Sequence, residues 1–231
     1  MSAIFTMTPI TFHTTHWSVV LAAKGDDSKA HTALSELCAS YREPILRYIE
    51  RTIRTDVPQR YGGRNAEDLT HDFLARLLEG KFFEHFQRRE GRFHTYLLGA
   101  VRHFLANVRQ RESAAKRGGG FVRLPTHYDI PQTHNDVQFD RDWAQTTINR
   151  AIVLLGNSPE TQTLLPYLTR EMTVEDRIRF TTELGKSESA IKVALHRLRK
   201  KFREHVRKLI AHTVESESDI DVELNLLIKA M

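Results

Sequence analysis

The stretch 173–208 constrains this chain most, because it reads as two helices joined by a tight turn. The first run, 174–184, sets Ile178, Phe180 and Leu184 among charged and hydroxyl residues. Gly185 then supplies a turn position with positive φ. Ser187 is a good N-cap, and Glu188 puts a negative charge in the first turn of the next helix, where it suits the macrodipole. In that second helix Ile191, Leu195, Leu198 and Phe202 form one apolar stripe at alternating spacings of four and three. Lys192, His196, Arg197, Arg199, Lys200, Lys201 and Arg203 cover its other faces. A helix held to a small domain by its apolar stripe, with a basic remainder facing outward, is what entry into a DNA major groove requires. The plainer reading is a basic surface helix pair that happens to turn at a glycine.

At 231 residues the chain has room for one large domain or two small ones. An apolar content of 40% supports real cores, and a net charge of +5 with a pI near 9.4 favours an anionic partner without naming it. The single cysteine, Cys38, allows no intramolecular disulfide and no multi-cysteine zinc site, and fits a small buried hydrophobe in a reducing compartment. No apolar run approaches a membrane span, and the first residues lack the basic start and apolar core of a signal peptide. The expectation is a soluble cytoplasmic protein.

Residues 1–27 form a mixed extension in which Trp17 anchors an apolar run. His13 and His16 are spaced like metal ligands but lack a third ligand nearby. Over 30–54, Leu34, Leu37, Cys38, Tyr41, Ile45, Leu46 and Ile49 recur at helical spacing, and Pro44 is expected to kink or split that helix. Pro58 and Gly62-Gly63 mark a loop. Asn65, with Asp68 three residues on, opens a helix whose buried stripe is Leu69, Phe73, Leu77 and Leu78. Asp68 and Asp72 sit one turn apart beside Arg76, which points to a solvated or partner-binding face rather than to acid–base catalysis, since no nucleophile or metal cluster accompanies them.

A charged aromatic connector, 81–92, leads into a long helix over 93–111. There Phe93, Tyr96 and Phe104 interleave with Arg92, Arg102, His103, Arg109 and Arg111, a pattern that suits single-stranded nucleic acid. Burial of some of these rings in a core is the plainer alternative. The triplet Gly118-Gly119-Gly120 is not a phosphate loop, because no strand precedes it and no Gly-Lys-Ser/Thr follows. Residues 116–140, with two prolines and few periodic apolar positions, read as a linker. Helices are expected over 143–155 and 161–168, and the second helix of the pair should run to about residue 213. The tail changes sign: Glu215, Glu217, Asp219, Asp221 and Glu223 precede Leu224, Leu226, Leu227 and Ile228, as in an amphipathic helix that folds back or binds a partner. No strand pattern is persuasive, so the fold class is all-α.

Three segments together resemble bacterial RNA polymerase sigma factors of the extracytoplasmic-function (ECF) type. Residues 66–78 (AEDLTHDFLARLL) are similar to that family's docking helix for the clamp coiled coil of core polymerase, with His71 where glutamine is common. Residues 91–107 (GRFHTYLLGAVRHFLAN) look like its segment that melts and reads the minus-ten element. Residues 187–200 (SESAIKVALHRLRK) are close to its recognition helix for the minus-thirty-five element. Residues 14–23 and 116–120 are similar to a subgroup from planctomycete-like bacteria. The departure is 177–182, which replaces the family's usual alanine-rich run.

The resemblance implies two small helical domains joined by a flexible linker: an extension (1–27), a sigma-two-like domain (28–115), the linker (116–140), a sigma-four-like helix-turn-helix domain (141–213) and an acidic tail (214–231). It implies polymerase docking by Glu67, Asp68, His71, Asp72 and Arg76. It implies minus-ten contacts from Arg92, Phe93, Tyr96, Arg102, His103 and Arg109. Major-groove and phosphate contacts fall to Ser187, Ser189, Lys192, His196, Arg197, Arg199, Lys200 and Arg203. Core RNA polymerase and promoter DNA are the implied partners, with an anti-sigma factor as a further one; no cofactor, small-molecule substrate, membrane or catalytic role is expected. Two alternatives remain at this point. A stand-alone helix-turn-helix regulator leaves the 66–78 face without a purpose, and a metal-dependent nuclease lacks clustered ligands.

Overall fold

The computed structural model describes residues 28–79, 93–120, 134–214 and 216–231. All regular structure among them is helical. Eight α-helices follow in order: α1 (Ser28–Thr55), α2 (Ala66–Leu78), α3 (Phe93–Lys116), α4 (His134–Leu154), α5 (Pro159–Leu164), α6 (Val174–Leu184), α7 (Glu188–Ala211) and α8 (Ser218–Ala230). Short 3-10 turns occupy Pro58–Tyr61 and Leu165–Tyr167. The extension 1–27 and the connector 81–92 lie outside the described residues, as do Arg92 and most of the segment read as a linker.

The larger core is built from α1 to α4 together with the C-terminal half of α7 and α8. Leu37, Tyr41, Ile45 and Ile49 on α1 are all but inaccessible, as are Leu69, Phe73 and Leu77 on α2. Full burial of side chains this size contributes about 1.5–3 kcal/mol each. Pro44 neither splits nor ends α1, which runs continuously through it. Proline removes one backbone bond, but the buried residues on both sides of it, Tyr41 and Ile45, hold the two halves on the same core. The 58–61 turn lies close against α3: a Cβ at Gly62 would stand 2.9 Å from the Glu112 carboxylate, and that glycine has φ +67°.

A smaller core joins α5, the 165–167 turn, Met172, α6 and the N-terminal half of α7 through Leu164, Tyr167, Phe180, Ile191, Leu195 and Leu198. Helix α7 therefore belongs to both cores. Its 24 residues span about 36 Å. Of the apolar residues of α6, Ile178 is 61% exposed, while Phe180 is 3% exposed and carries that helix's contact.

One segment differs from the sequence expectation, and the tail takes one of its two expected forms. Helix α4 opens at His134, inside the segment read as linker, because Phe139, Trp143 and Ala144 pack into the larger core. The acidic tail forms α8 and folds back, burying Ile220, Glu223 and Leu227, while Arg207 on α7 pairs with Asp221 at 2.6 Å.

Candidate nucleic-acid and polymerase interfaces

The helix-turn-helix is assembled from local signals. Thr173 and Asp176 make a reciprocal capping box at the start of α6, each side chain accepting from the other's backbone N–H at 3.1 Å. Gly185 ends α6 in the left-handed region at φ +61°. The Ser187 hydroxyl accepts from the Ala190 N–H and opens α7. With Ile191, Leu195 and Leu198 turned inward, Ser189, Lys192, His196, Arg197, Lys200 and Arg203 are exposed on the remaining faces. Lys192 pairs with Glu188 at 2.9 Å, and Arg177 of α6 reaches the same carboxylate at 2.8 Å. The Lys192 hydrogen bond and charge, then Arg177, hold the Glu188 carboxyl below its ordinary range.

Arg199 is placed differently from its basic neighbours. Its guanidinium donates to the carbonyl oxygens of Tyr167 at 3.0 and 3.1 Å and of Arg170 at 2.8 Å. Expected on phosphate, this side chain instead staples α7 to the turn before α6. Nothing in residue type separates it from Lys200; only its position, one residue after buried Leu198, gives a signal.

On α2, Asn65 accepts from the Asp68 N–H at 2.8 Å. The outward stripe consists of Glu67, Asp68, His71 and Ala75. Glu67 is paired with Arg42 of α1 at 2.6 Å. Asp72 is not on that exposed stripe. It is held between Arg76, at 2.6 Å, and Arg64, at 3.0 Å, with its side chain 24% exposed. Partial burial pushes its carboxyl up, but the hydrogen bonds and charges of Arg76 and Arg64 outweigh this and keep it below the usual range. Arg76 also stands 5.5 Å from the centre of the Phe104 ring.

Helix α3 turns its aromatic side inward. Phe93, Tyr96, Leu97, Val101, Phe104 and Leu105 share one buried face, and His103 is 6% exposed. Phe93 meets Tyr41 edge-on at 5.2 Å, and Phe104 meets Phe73 at 5.5 Å. Phe93, Tyr96 and His103, expected to meet DNA, are thus interior in this arrangement. Their spacing matches that of Leu97 and Val101, which is the helical signal for core. Arg102 faces Asp136 of α4 at 3.7 Å, and Arg109 pairs with Asp56 at 3.1 Å.

The acidic start of α4 is the feature that sequence reasoning missed. Its carboxylates each take a partner on α1 or α3. Asp136 accepts from the Tyr48 hydroxyl at 3.1 Å, Asp140 meets His94 Nε2 at 2.9 Å, and Asp142 meets Arg51. Among the described residues no group of three metal-ligating side chains comes together, and His13 and His16 lie outside them. No described helix is long and apolar enough to cross a membrane.

No curated protein and no solved structure matches the chain. The model of the family described as ECF sigma factor matches residues 18–208, well over half of the sequence. All-helical architecture and a helix-turn-helix with a basic outer face agree with that match. The chain belongs to the ECF sigma factor family and is a sigma factor that directs transcription initiation.

Proposed function

We propose that this protein binds core RNA polymerase through the outward stripe of α2 and brings it to a two-part promoter in the cytoplasm. The N-terminal half of α7 reads the minus-thirty-five element, with Ser189, Lys192, His196 and Arg197 toward base edges and Lys200 and Arg203 toward phosphates. The unit 28–115 reads the minus-ten element and helps hold the unpaired strand. Connector 81–92 and the cationic side of α3, including Arg92 and Arg102, meet that strand, and buried Phe93 and Tyr96 form the support beneath it. The unit 141–213 carries the helix-turn-helix, and the joint between the two units runs through 116–140. Polymerase supplies the active site; this chain supplies recognition. An anti-sigma factor is a natural antagonist for either surface.

The observation that carries this reading is the two-sidedness of α7, with Ile191, Leu195 and Leu198 at 0–8% exposure and Lys192, His196, Arg197, Lys200 and Arg203 all outward. The test is in-vitro transcription with core polymerase on a library of promoter fragments. Defined start sites that need two separate sequence elements are expected. Transcription no different from that of core polymerase alone, with no co-purification of the two proteins, overturns it.

A further inference from the structure

Helix α4 brings to α1 and α3 a set of groups with the chemistry of a DNA strand. Its negative charges fall on the cations and donors of that face. Asp136 meets Arg102 and Tyr48, Asp140 meets His94, and Asp142 meets Arg51 and, at 3.6 Å, Arg47. Its rings lie between those charges. Trp143 lies against His94, its ring tilted by 48° and the ring centres 4.6 Å apart, while Phe139 sits 5.1 Å from His94 and 5.7 Å from Tyr48. Single-stranded nucleic acid is recognised by this alternation, with cations holding the phosphates and rings stacking on the bases.

The arrangement also limits what the closed chain can reach. The Phe93 N–H donates to the Thr213 carbonyl at 3.0 Å, so the start of α3 is fastened to the end of α7. From there back to Ser187 at the recognition end is 26 residues, about 39 Å at helical rise. Two elements about 25 base pairs apart are separated by about 85 Å of duplex. One closed molecule cannot contact both, so the units must part for a two-part promoter to be read.

We propose that α4 is an internal stand-in for single-stranded DNA. Its carboxylates and rings occupy a strand-binding face formed by Tyr48, Arg51, His94 and Arg102, and that face takes the unpaired promoter strand once α4 leaves. This rests on the promoter-opening role proposed above. It adds Tyr48, Arg51 and His94 to the strand site and makes strand binding conditional on opening.

The test compares three full-length proteins: wild type, the triple variant Asp136→Asn, Asp140→Asn, Asp142→Asn, and a charge-matched control, Glu217→Gln, Asp219→Asn, Asp221→Asn on and just before α8. Each is titrated with a labelled single-stranded minus-ten oligonucleotide and followed by fluorescence anisotropy at physiological salt. Opening is read by acrylamide quenching of buried Trp143 in a Trp17→Phe background. The α4 triple should gain about tenfold or more in strand affinity, with Trp143 quenched more readily, while the control moves by about twofold or less. Adding Arg102→Ala to the α4 triple should remove most of the gain. Equal gains in the two triples overturn the proposal, because net charge alone then explains them. Quenching without a gain in affinity also overturns it and makes α4 a structural clamp. If the triple fails to fold, Asp140→Asn alone decides: its side chain is 49% exposed at the rim of the face, and an unchanged strand affinity overturns the proposal. Failure of transcription with core polymerase would instead count against the promoter reading, since strand affinity and quenching are measured without polymerase.

Discussion

Phe93 and Thr213 are joined backbone to backbone: the N–H of the first residue of α3 donates to a carbonyl just past the last turn of α7, at 3.0 Å. A helix leaves its first amides without partners of its own, so this one is satisfied by a residue 120 positions later in the chain. Thr213 is itself buried, its hydroxyl donating to the Ile210 carbonyl at 2.8 Å.

The Phe93 amide should therefore exchange slowly in the free protein, far more slowly than a first-turn helix amide does. Amide exchange read by NMR checks this. On binding core polymerase and promoter, the same amide should lose its protection as the units separate. Fast exchange in the free chain would mean that the joint is open in solution.

Arg199 and Lys200 are neighbours in sequence with separate duties. Arg199→Ala removes a charged donor from the Tyr167 and Arg170 carbonyls and should destabilise the helix-turn-helix by about 1.5–3 kcal/mol, measured by urea unfolding. Lys200→Ala should change stability by less than about 0.5 kcal/mol. Its effect should appear in duplex binding, as a salt slope lower by about one. The reverse pattern would exchange the two roles.

The parts of the fold set by local signals were readable from sequence, and those set by tertiary partners were not. Helix α2 begins after Asn65 and α6 after Thr173 as expected, because a capping side chain closes the first turn of each. The helix expected from residue 143 begins nine residues earlier, and most of that start, 134–142, reads as linker because Phe139 is interspersed with carboxylates whose partners, Tyr48, His94 and Arg51, are 46 to 91 residues distant. At the site, the outward residues of α7 follow from its stripe. Phe93 and Tyr96 carry the helical spacing of the core, but aromatics beside arginines also suit unpaired bases, and residue type alone does not separate the two. Asp72 read as an exposed carboxylate because Arg64, its second partner, precedes the helix.

That second partner gives Asp72 a pH signature. Its folded pKa lies below the ordinary aspartate value of about 3.9. The stability it contributes is therefore complete above that ordinary value and is lost as pH falls through the lower folded one. Asp72→Asn should cost about 1–3 kcal/mol at pH 7. The cost should persist at about pH 5 and shrink below about pH 4. Urea unfolding of both proteins across this range checks it, and a cost independent of pH would assign the loss to packing.

The same geometry decides how the polymerase-docking face should be probed. Asp72→Arg would set three guanidinium groups together, those of residues 64, 72 and 76, at a position only 24% exposed. Lost transcription in that variant would report lost folding, since a partly buried charge without a counter-charge is among the costlier substitutions. Asp68 is the better probe. It is exposed on the outward stripe with His71, and its contribution to the helix start is its backbone N–H to Asn65, which any residue except proline retains. Asp68→Arg places a positive charge in the first turn, against the macrodipole, at a cost of about 0.3–1 kcal/mol. The chain should therefore stay folded, with duplex binding by α7 unchanged or slightly stronger from the added charge. Core-polymerase pull-down and promoter-dependent transcription should fall sharply. A regulator that never meets polymerase would show no loss on this substitution. Wild-type pull-down by Asp68→Arg would move the docking surface away from this end of α2.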